Sequence, residues 1–164
     1  MISARDIPKA HTPPGGYGTE MPPPILTGCE EPLVDGAPDL RGTWKVVSGE
    51  SNGEPLVPGH PILEHVERIE QAGDRVVVTS SGIIHDMFVD GTHESGVNDV
   101  LVADLTTPLV VAATFEEGVL VLRPRDLPGV EVRRWREGDQ MVWQYSSMFT
   151  TRLERIDTTR SIPT

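Results

Sequence analysis

The feature that most constrains this chain is the close, regular spacing of tight-turn sequences along its last three quarters. Gly73-Asp74, Asp90-Gly91, Glu117-Gly118, Pro128-Gly129 and Gly138-Asp139 punctuate segments in which apolar and polar side chains alternate. Glycine beside a carboxylate residue suits the positive φ of short hairpin connections, and a two-residue alternation is the mark of a half-buried strand. The segments between the turns are 41–50, 64–71, 75–81, 83–89, 98–105, 109–116, 119–123, 130–137, 140–146 and 149–156. The clearest are those holding Val76-Val77-Val78 and Val110-Val111, because β-branched side chains are stiff and pack well on a pleated surface. Only 62–69 has a competing pattern, since Ile62, Leu63, Val66 and Ile69 also fall near a helical period. A meander of this many short strands has two exposed edges, and closure removes both. The expected fold is all-β, an antiparallel up-and-down meander closed into a barrel of 8–10 strands, wide enough at the upper count for an enclosed molecule.

Ahead of the strands, residues 1–38 are rich in Pro and Gly, as in Thr12-Pro13-Pro14-Gly15-Gly16 and Met21-Pro22-Pro23-Pro24. Proline lacks the donor that helices and central strands need, so this segment is expected to be irregular. It reads either as a loosely draped tail or as a lid over one barrel end. Tyr17, Met21, Ile25 and Leu26 favour contact with the barrel. The expected division is therefore 1–38 irregular segment, 39–157 β-barrel and 158–164 C-terminal tail.

Charge and cysteine usage narrow the function classes. A net charge of -11 over 164 residues, with basic pairs such as Arg133-Arg134 interleaved with acids, offers no stripe for phosphates. Nucleic acid and membrane are not expected partners. The lone Cys29 has no internal disulfide partner, and no apolar signal core or span of about 20 apolar residues occurs. The expected compartment is the cytoplasm. No nucleotide, phosphate or nucleophile-elbow motif is present, and no cofactor is expected. Homo-oligomerisation stays open.

The strand pattern begins with Gly42-Thr43-Trp44-Lys45 and ends with Thr151-Arg152-Leu153-Glu154-Arg155. A Gly-x-Trp start with an arginine-bearing last strand resembles the calycin superfamily, the lipocalin and fatty-acid-binding-protein barrels. The resemblance implies a calycin-like barrel whose Trp44 closes one end beneath a basic side chain, here Arg152 or Arg155. Thr151-Arg152-Leu153 also resembles the Thr-Arg-Val of fatty-acid-binding proteins, whose arginine grips a ligand carboxylate; Glu154 replaces the tyrosine that accompanies it there. The helical lid of those proteins has no counterpart in 51–61, which holds Pro55, Pro58 and Pro61.

Alternation puts His85 on one face with Ile83, Met87 and Val89, and Asp86 on the other. A histidine among apolar neighbours serves either as a satisfied core residue or as a base near neutral pH. Met141, Trp143 and Tyr145 likewise share a face, combining apolar area with an indole N–H and a hydroxyl. The expected ligand-binding residues are Trp44, His85, Met87, Trp143 and Tyr145, with Arg152 as polar anchor. His85 and Tyr145 are the catalytic candidates. Asp86, Asp90, His93, Glu94 and Asp99 gather around one hairpin without the spacing of a metal loop, so no metal site is expected. His60 and His65 offer no convergent geometry, and Arg123, Arg125, Arg133, Arg134 and Arg136 read as surface charges paired with Glu131 and Glu137.

The leading expectation is binding of a small, largely hydrophobic molecule inside the barrel. One alternative is a cofactor-independent isomerase or cyclase working on a hydrophobic substrate in the same cavity through His85 and Tyr145. A second is a structural or assembly module whose N-terminal segment docks to another chain.

Overall fold

A computed structural model describes residues 2–156; the expected tail 158–164 lies outside the described residues. The chain forms an 11-stranded antiparallel sheet. Its strands are β1 (Gly42–Ser51), β2 (Glu54–Pro55), β3 (Val66–Ala72), β4 (Arg75–Ser80), β5 (Ile83–Phe88), β6 (Val97–Val100), β7 (Pro108–Glu116), β8 (Val119–Pro124), β9 (Val132–Glu137), β10 (Gln140–Tyr145) and β11 (Phe149–Arg155). Ten of them run in the order β5-β4-β3-β1-β11-β10-β9-β8-β7-β6, and the two-residue β2 sits beside β1. The result is a nearly closed up-and-down barrel of ten strands.

Two local expectations are corrected. The strand expected over 98–105 stops at Val100, because the Asp104 carboxylate accepts the backbone N–H groups of Thr106 and Thr107, both at 2.9 Å, and folds the chain into a turn with Leu105 at φ 61°. Such side-chain-to-backbone bonds compete directly with a strand ladder. The segment expected as a strand from residue 64 instead begins with a 3-10 turn, Pro61–Glu64, in which the His60 imidazole Nδ1 accepts Ile62 N–H at 3.1 Å.

Inward-facing side chains form rows at successive depths, as the two-residue period of each strand requires. The lower rows are packed solid around Leu40, Trp44, Ile69, Leu120, Met141 and Leu153, all fully buried. Trp44 donates its indole N–H to the Leu40 carbonyl at 2.8 Å. Arg155, its cross-strand partner, lays its guanidinium 4.6 Å above the ring centroid. This explains the glycine of the Gly-x-Trp motif. Gly42 has φ +137°, and a Cβ there would lie 2.9 Å from Arg155 Nε, so any other residue would push the guanidinium off the indole. The basic group nearest the tryptophan is thus Arg155, with Arg136 at 5.8 Å, and not Arg152.

The one break in the barrel lies between β5 and β6, which share no ladder. Among the described residues one backbone bond, Phe88 N–H to Ser95 O at 2.8 Å, joins them near this seam. The N-terminal segment runs over it. Lys9 Nζ donates to Ser95 O and Gly96 O at 3.2 and 2.7 Å, Ala10 N–H to Asp86 at 2.9 Å, and Thr12 N–H to Asp99 at 3.0 Å. The same segment covers the outer faces of β3, β4 and β5, where Ala4 and Leu26 pack with Ala72, Val77 and Ile84.

Beneath it, the Arg75 guanidinium makes two bonds to Asp86, at 2.8 and 2.6 Å, and donates to the carbonyls of Ala4, Ile7 and Pro8. Both side chains of this pair are fully buried. The segment is therefore a strap on the barrel's own wall, with three of its carbonyls bonded by one arginine.

Removing one member of a buried ion pair strands the other without compensation. Asp86→Ala is expected to lower the unfolding free energy by about 3–5 kcal/mol in urea titrations. Glu94→Ala, on an exposed turn, should change it by less than about 0.5 kcal/mol.

Candidate functional site

Above the packed rows the barrel holds a cavity of about 510 Å³. Its walls are mainly apolar, with Val78, Met87, Leu109, Val111, Leu122 and Val132 among them. Its mouth lies between the 3-10 turn at Pro61–Glu64, the β4–β5 turn, Leu101 and Val102 after β6, and Leu127 in the β8–β9 loop.

The boundary between packed and open interior is an ion pair. Arg134 on β9 donates from Nε and Nη2 to the two Glu67 oxygens on β3, at 2.8 and 3.1 Å. The two strands are separated in the sheet by β10, β11 and β1, so the pair crosses the lumen. Glu67 is fully buried and Arg134 nearly so. His65 adds a third contact, Nε2 to Glu67 Oε1 at 2.7 Å, and because a carboxylate only accepts, this nitrogen carries the proton. Burial by itself would raise the Glu67 pKa, but Arg134 and the His65 hydrogen bond outweigh it and hold the carboxyl well below its usual range.

Trp143 is the aromatic partner of this group. It stands directly across from Arg134 in the β9–β10 ladder, stacks on His65 at 4.4 Å and meets Phe149 edge-on at 5.0 Å. Its indole N–H is buried and has no hydrogen-bond partner among the described residues.

His85 occupies the opposite part of the wall, on β5. Its Nε2 lies 3.0 Å from the Val100 carbonyl, which fixes the proton on that nitrogen and leaves Nδ1 as an acceptor in the neutral ring. Burial pushes the imidazole pKa down, against the opposing pull of the Val100 carbonyl and Asp99, with Arg134 adding to the depression. His85 is thus neutral at pH 7.

The structure places His85, Met87, Trp143 and Tyr145 around one cavity. It separates the other two expected ligand contacts from it. Trp44 lies in the packed floor and is not part of the cavity wall. Arg152 projects from the outer face, bonded to Glu137 at 2.6 Å and nearly half exposed; the inward positions of β11 are Thr151, Leu153 and Arg155, so the anchor role expected for Arg152 is geometrically closed to it. Asp86 points away from His85 and pairs with Arg75 on the outer wall.

Three site residues carry no site signal in the sequence pattern. By sequence pattern Arg134 reads as a surface charge and His65 as a residue without convergent geometry, and Glu67 belongs to no motif. Hairpin arithmetic contains the missing signal. A two-residue turn at Gly138-Asp139 pairs Trp143 with Arg134, and one at Gly73-Asp74 pairs Val78 with Ile69. Directly opposed residues share a face. If Trp143 and Val78 point inward, then so must Arg134, Ile69 and hence Glu67.

Two acid-linked losses of stability follow. His85 and Glu67 both bind protons more weakly in the folded chain than in the unfolded one, so between the two pKa values the unfolded chain takes up more protons and stability falls with pH. The His85 share should be lost as pH drops below about 6.5 and the Glu67 share below about 4.5. Denaturation midpoints measured from pH 8 to 3 should fall in those two windows, and His85→Gln should flatten the upper one. Glu67→Ala is expected to cost about 3–5 kcal/mol by leaving Arg134 unpaired, whereas the double change Glu67→Leu with Arg134→Met should cost much less in the same urea titration.

No protein-family model matches the chain, and no curated protein matches it. Solved structures do. Human cRBP IV, a cellular retinol-binding protein, superposes with a TM-score of 0.54 at 14% identity, covering 72% of this chain and 98% of that one. Zebrafish ileal bile acid-binding protein in complex with cholic acid gives a TM-score of 0.53 at 16% identity, covering 71% and 98%. The described residues therefore have the calycin fold, in its fatty-acid-binding-protein form.

Proposed function

We propose that this protein binds a small, largely hydrophobic molecule inside its barrel. The observation that carries the proposal is the cavity of about 510 Å³, walled chiefly by aliphatic and aromatic side chains and open at one end. Its size falls within the range of about 300–1,000 Å³ common to small-molecule sites. The polar groups in or behind its wall include the Glu67–Arg134 pair, His65, His85, Trp143 and Tyr145, with Glu64, Ser80 and Ser81 toward the mouth, a set suited to orienting a polar feature of an otherwise apolar guest. Two barrels of the same fold are named for retinol and for bile acid, which agrees with a lipophilic guest. Among the described residues no helix is long and apolar enough to cross a membrane.

A second reading, a cofactor-independent isomerase or cyclase, draws on His85. Its Nε2 is held by Val100 and its ring is neutral, so Nδ1 is equipped to accept a proton from a guest. Under that reading His85→Gln and Tyr145→Phe leave affinity within a few-fold and abolish conversion of the guest; under the binding reading neither variant affects any chemistry.

The binding proposal is tested by native mass spectrometry of protein purified from its own source and by titration with the lipophilic dye Nile red. Val111→Trp, which thrusts an indole into the cavity from β7, is expected to weaken dye binding at least ~10-fold, equivalent to about 1.4 kcal/mol, with the far-UV spectrum unchanged. Unaltered dye affinity in this variant would place the dye outside the barrel and remove the proposal's support.

A further inference from the structure

The cavity wall contains a nitrogen that can only accept a hydrogen bond and has nothing to accept. His85 carries its ring proton on Nε2, which the Val100 carbonyl takes at 3.0 Å, and in the neutral ring Nδ1 is left with a lone pair. Among the described residues the unpartnered side-chain atoms that are sealed from the surface are Arg68 Nε, Thr79 Oγ1 and Trp143 Nε1. His85 Nδ1 is not one of them. It has no partner there either, so it retains accessible surface, and the residue stands in the cavity wall on the inward face of β5, directly across from Val78 and two residues from Met87. The lone pair therefore opens on the cavity, where the indole N–H of Trp143 does not.

The other polar groups of the wall are either engaged or indifferent to what they meet. Arg134 is held by Glu67 through two hydrogen bonds, and His65 donates to the same carboxylate while its ring stacks on Trp143 at 4.4 Å. The hydroxyls of Ser80 and Tyr145 both give and accept, so they take a donor or an acceptor alike. His85 discriminates. A ketone, an ether or a carboxylate set against Nδ1 opposes acceptor to acceptor and strips the nitrogen of water without replacing it, whereas an O–H or N–H satisfies it. Its nearest neighbours along β5 and β4, Ile83, Met87 and Val78, offer no substitute donor.

Resting on the binding role proposed above, we infer that the guest is an uncharged lipophilic molecule carrying a hydrogen-bond donor, an O–H or N–H, which it gives to His85 Nδ1, and that His85 is the specificity-determining residue of the cavity.

The test compares 4-heptylphenol with 4-heptylanisole, the same frame with its hydroxyl capped by a methyl group, each competed against Nile red near neutral pH with the full chain. The ether is the more apolar of the two, so transfer out of water favours it; the opposite order requires a partner for the hydroxyl. The phenol is expected to bind at least ~5-fold tighter than the ether, the low end of what one unsatisfied buried group costs. The readout is the ratio of the two affinities within one protein. In His85→Phe, which removes the acceptor, the ratio should fall to one or below, whatever happens to both affinities together. Should that variant fail to fold, the wild-type protein still reports: the 15N resonance of His85 Nδ1 should move upfield with the phenol, as an unprotonated ring nitrogen does when it accepts a hydrogen bond, and stay in place with the ether.

Equal or tighter binding of the ether would overturn the inference and leave the binding role intact, as would a His85 resonance indifferent to the phenol. A phenol preference that persists in His85→Phe would assign the hydroxyl to Tyr145, Ser80 or His65 and overturn it as well. Failure of the dye and of both compounds to bind would instead overturn the binding role itself, and this inference with it.

Discussion

The Glu67–Arg134 pair is the constraint on which the interior depends. It joins β3 to β9 through the lumen, and rows of side chains below it are packed without space while those above it enclose the cavity. Leucine or methionine at these positions would fill the barrel more cheaply, since two buried charges recover their desolvation only through good geometry. The geometry here is good: both carboxylate oxygens are engaged and His65 adds a third bond. What the pair contributes is position. It holds two walls of the barrel at a set separation and gives Trp143 a rigid backing of Arg134 and His65.

A second buried ion pair does the corresponding work outside. Arg75 and Asp86 sit under the N-terminal strap, and together they receive or supply the polar groups of Ala4, Ile7, Pro8 and Ala10. A proline-rich segment cannot join a ladder along its length, so its carbonyls need donors from elsewhere, and a guanidinium offers five in a fixed fork. The strap in turn bridges β5 and β6, where the sheet fails to close. Fold and strap are thus interdependent: the seam lacks a ladder, and the segment that covers it lacks one too.

Much of this was legible. Turn spacing and alternation located ten strands within a few residues, and the Gly-x-Trp start pointed to the calycin barrel that the fold has. His85, Met87, Trp143 and Tyr145 share the cavity because a two-residue period leaves little freedom once one face is apolar. Sequence and structure part where residue type and register disagree. On β9, Val132, Arg134 and Arg136 face in while Trp135 stands on the outside bonded to Glu137, the reverse of what hydrophobicity suggests. On β11, Arg152 was preferred for its likeness to a motif, although its parity is that of the outer face.

The sequence by itself determined the strand count, the hairpin registers and therefore which side chains share a face, because each of these follows from local backbone geometry at glycine-bearing turns and from the alternation of a pleated chain. Only the tertiary structure decided which face was concave and which residues meet through the lumen. Glu67 and Arg134 are 67 residues apart, and their meeting depends on barrel closure through β1 and β11, a long-range event. The path of the N-terminal strap was likewise decided in three dimensions, since its partners include Arg75, Asp86 and Asp99, whose exposure or burial no local pattern reports.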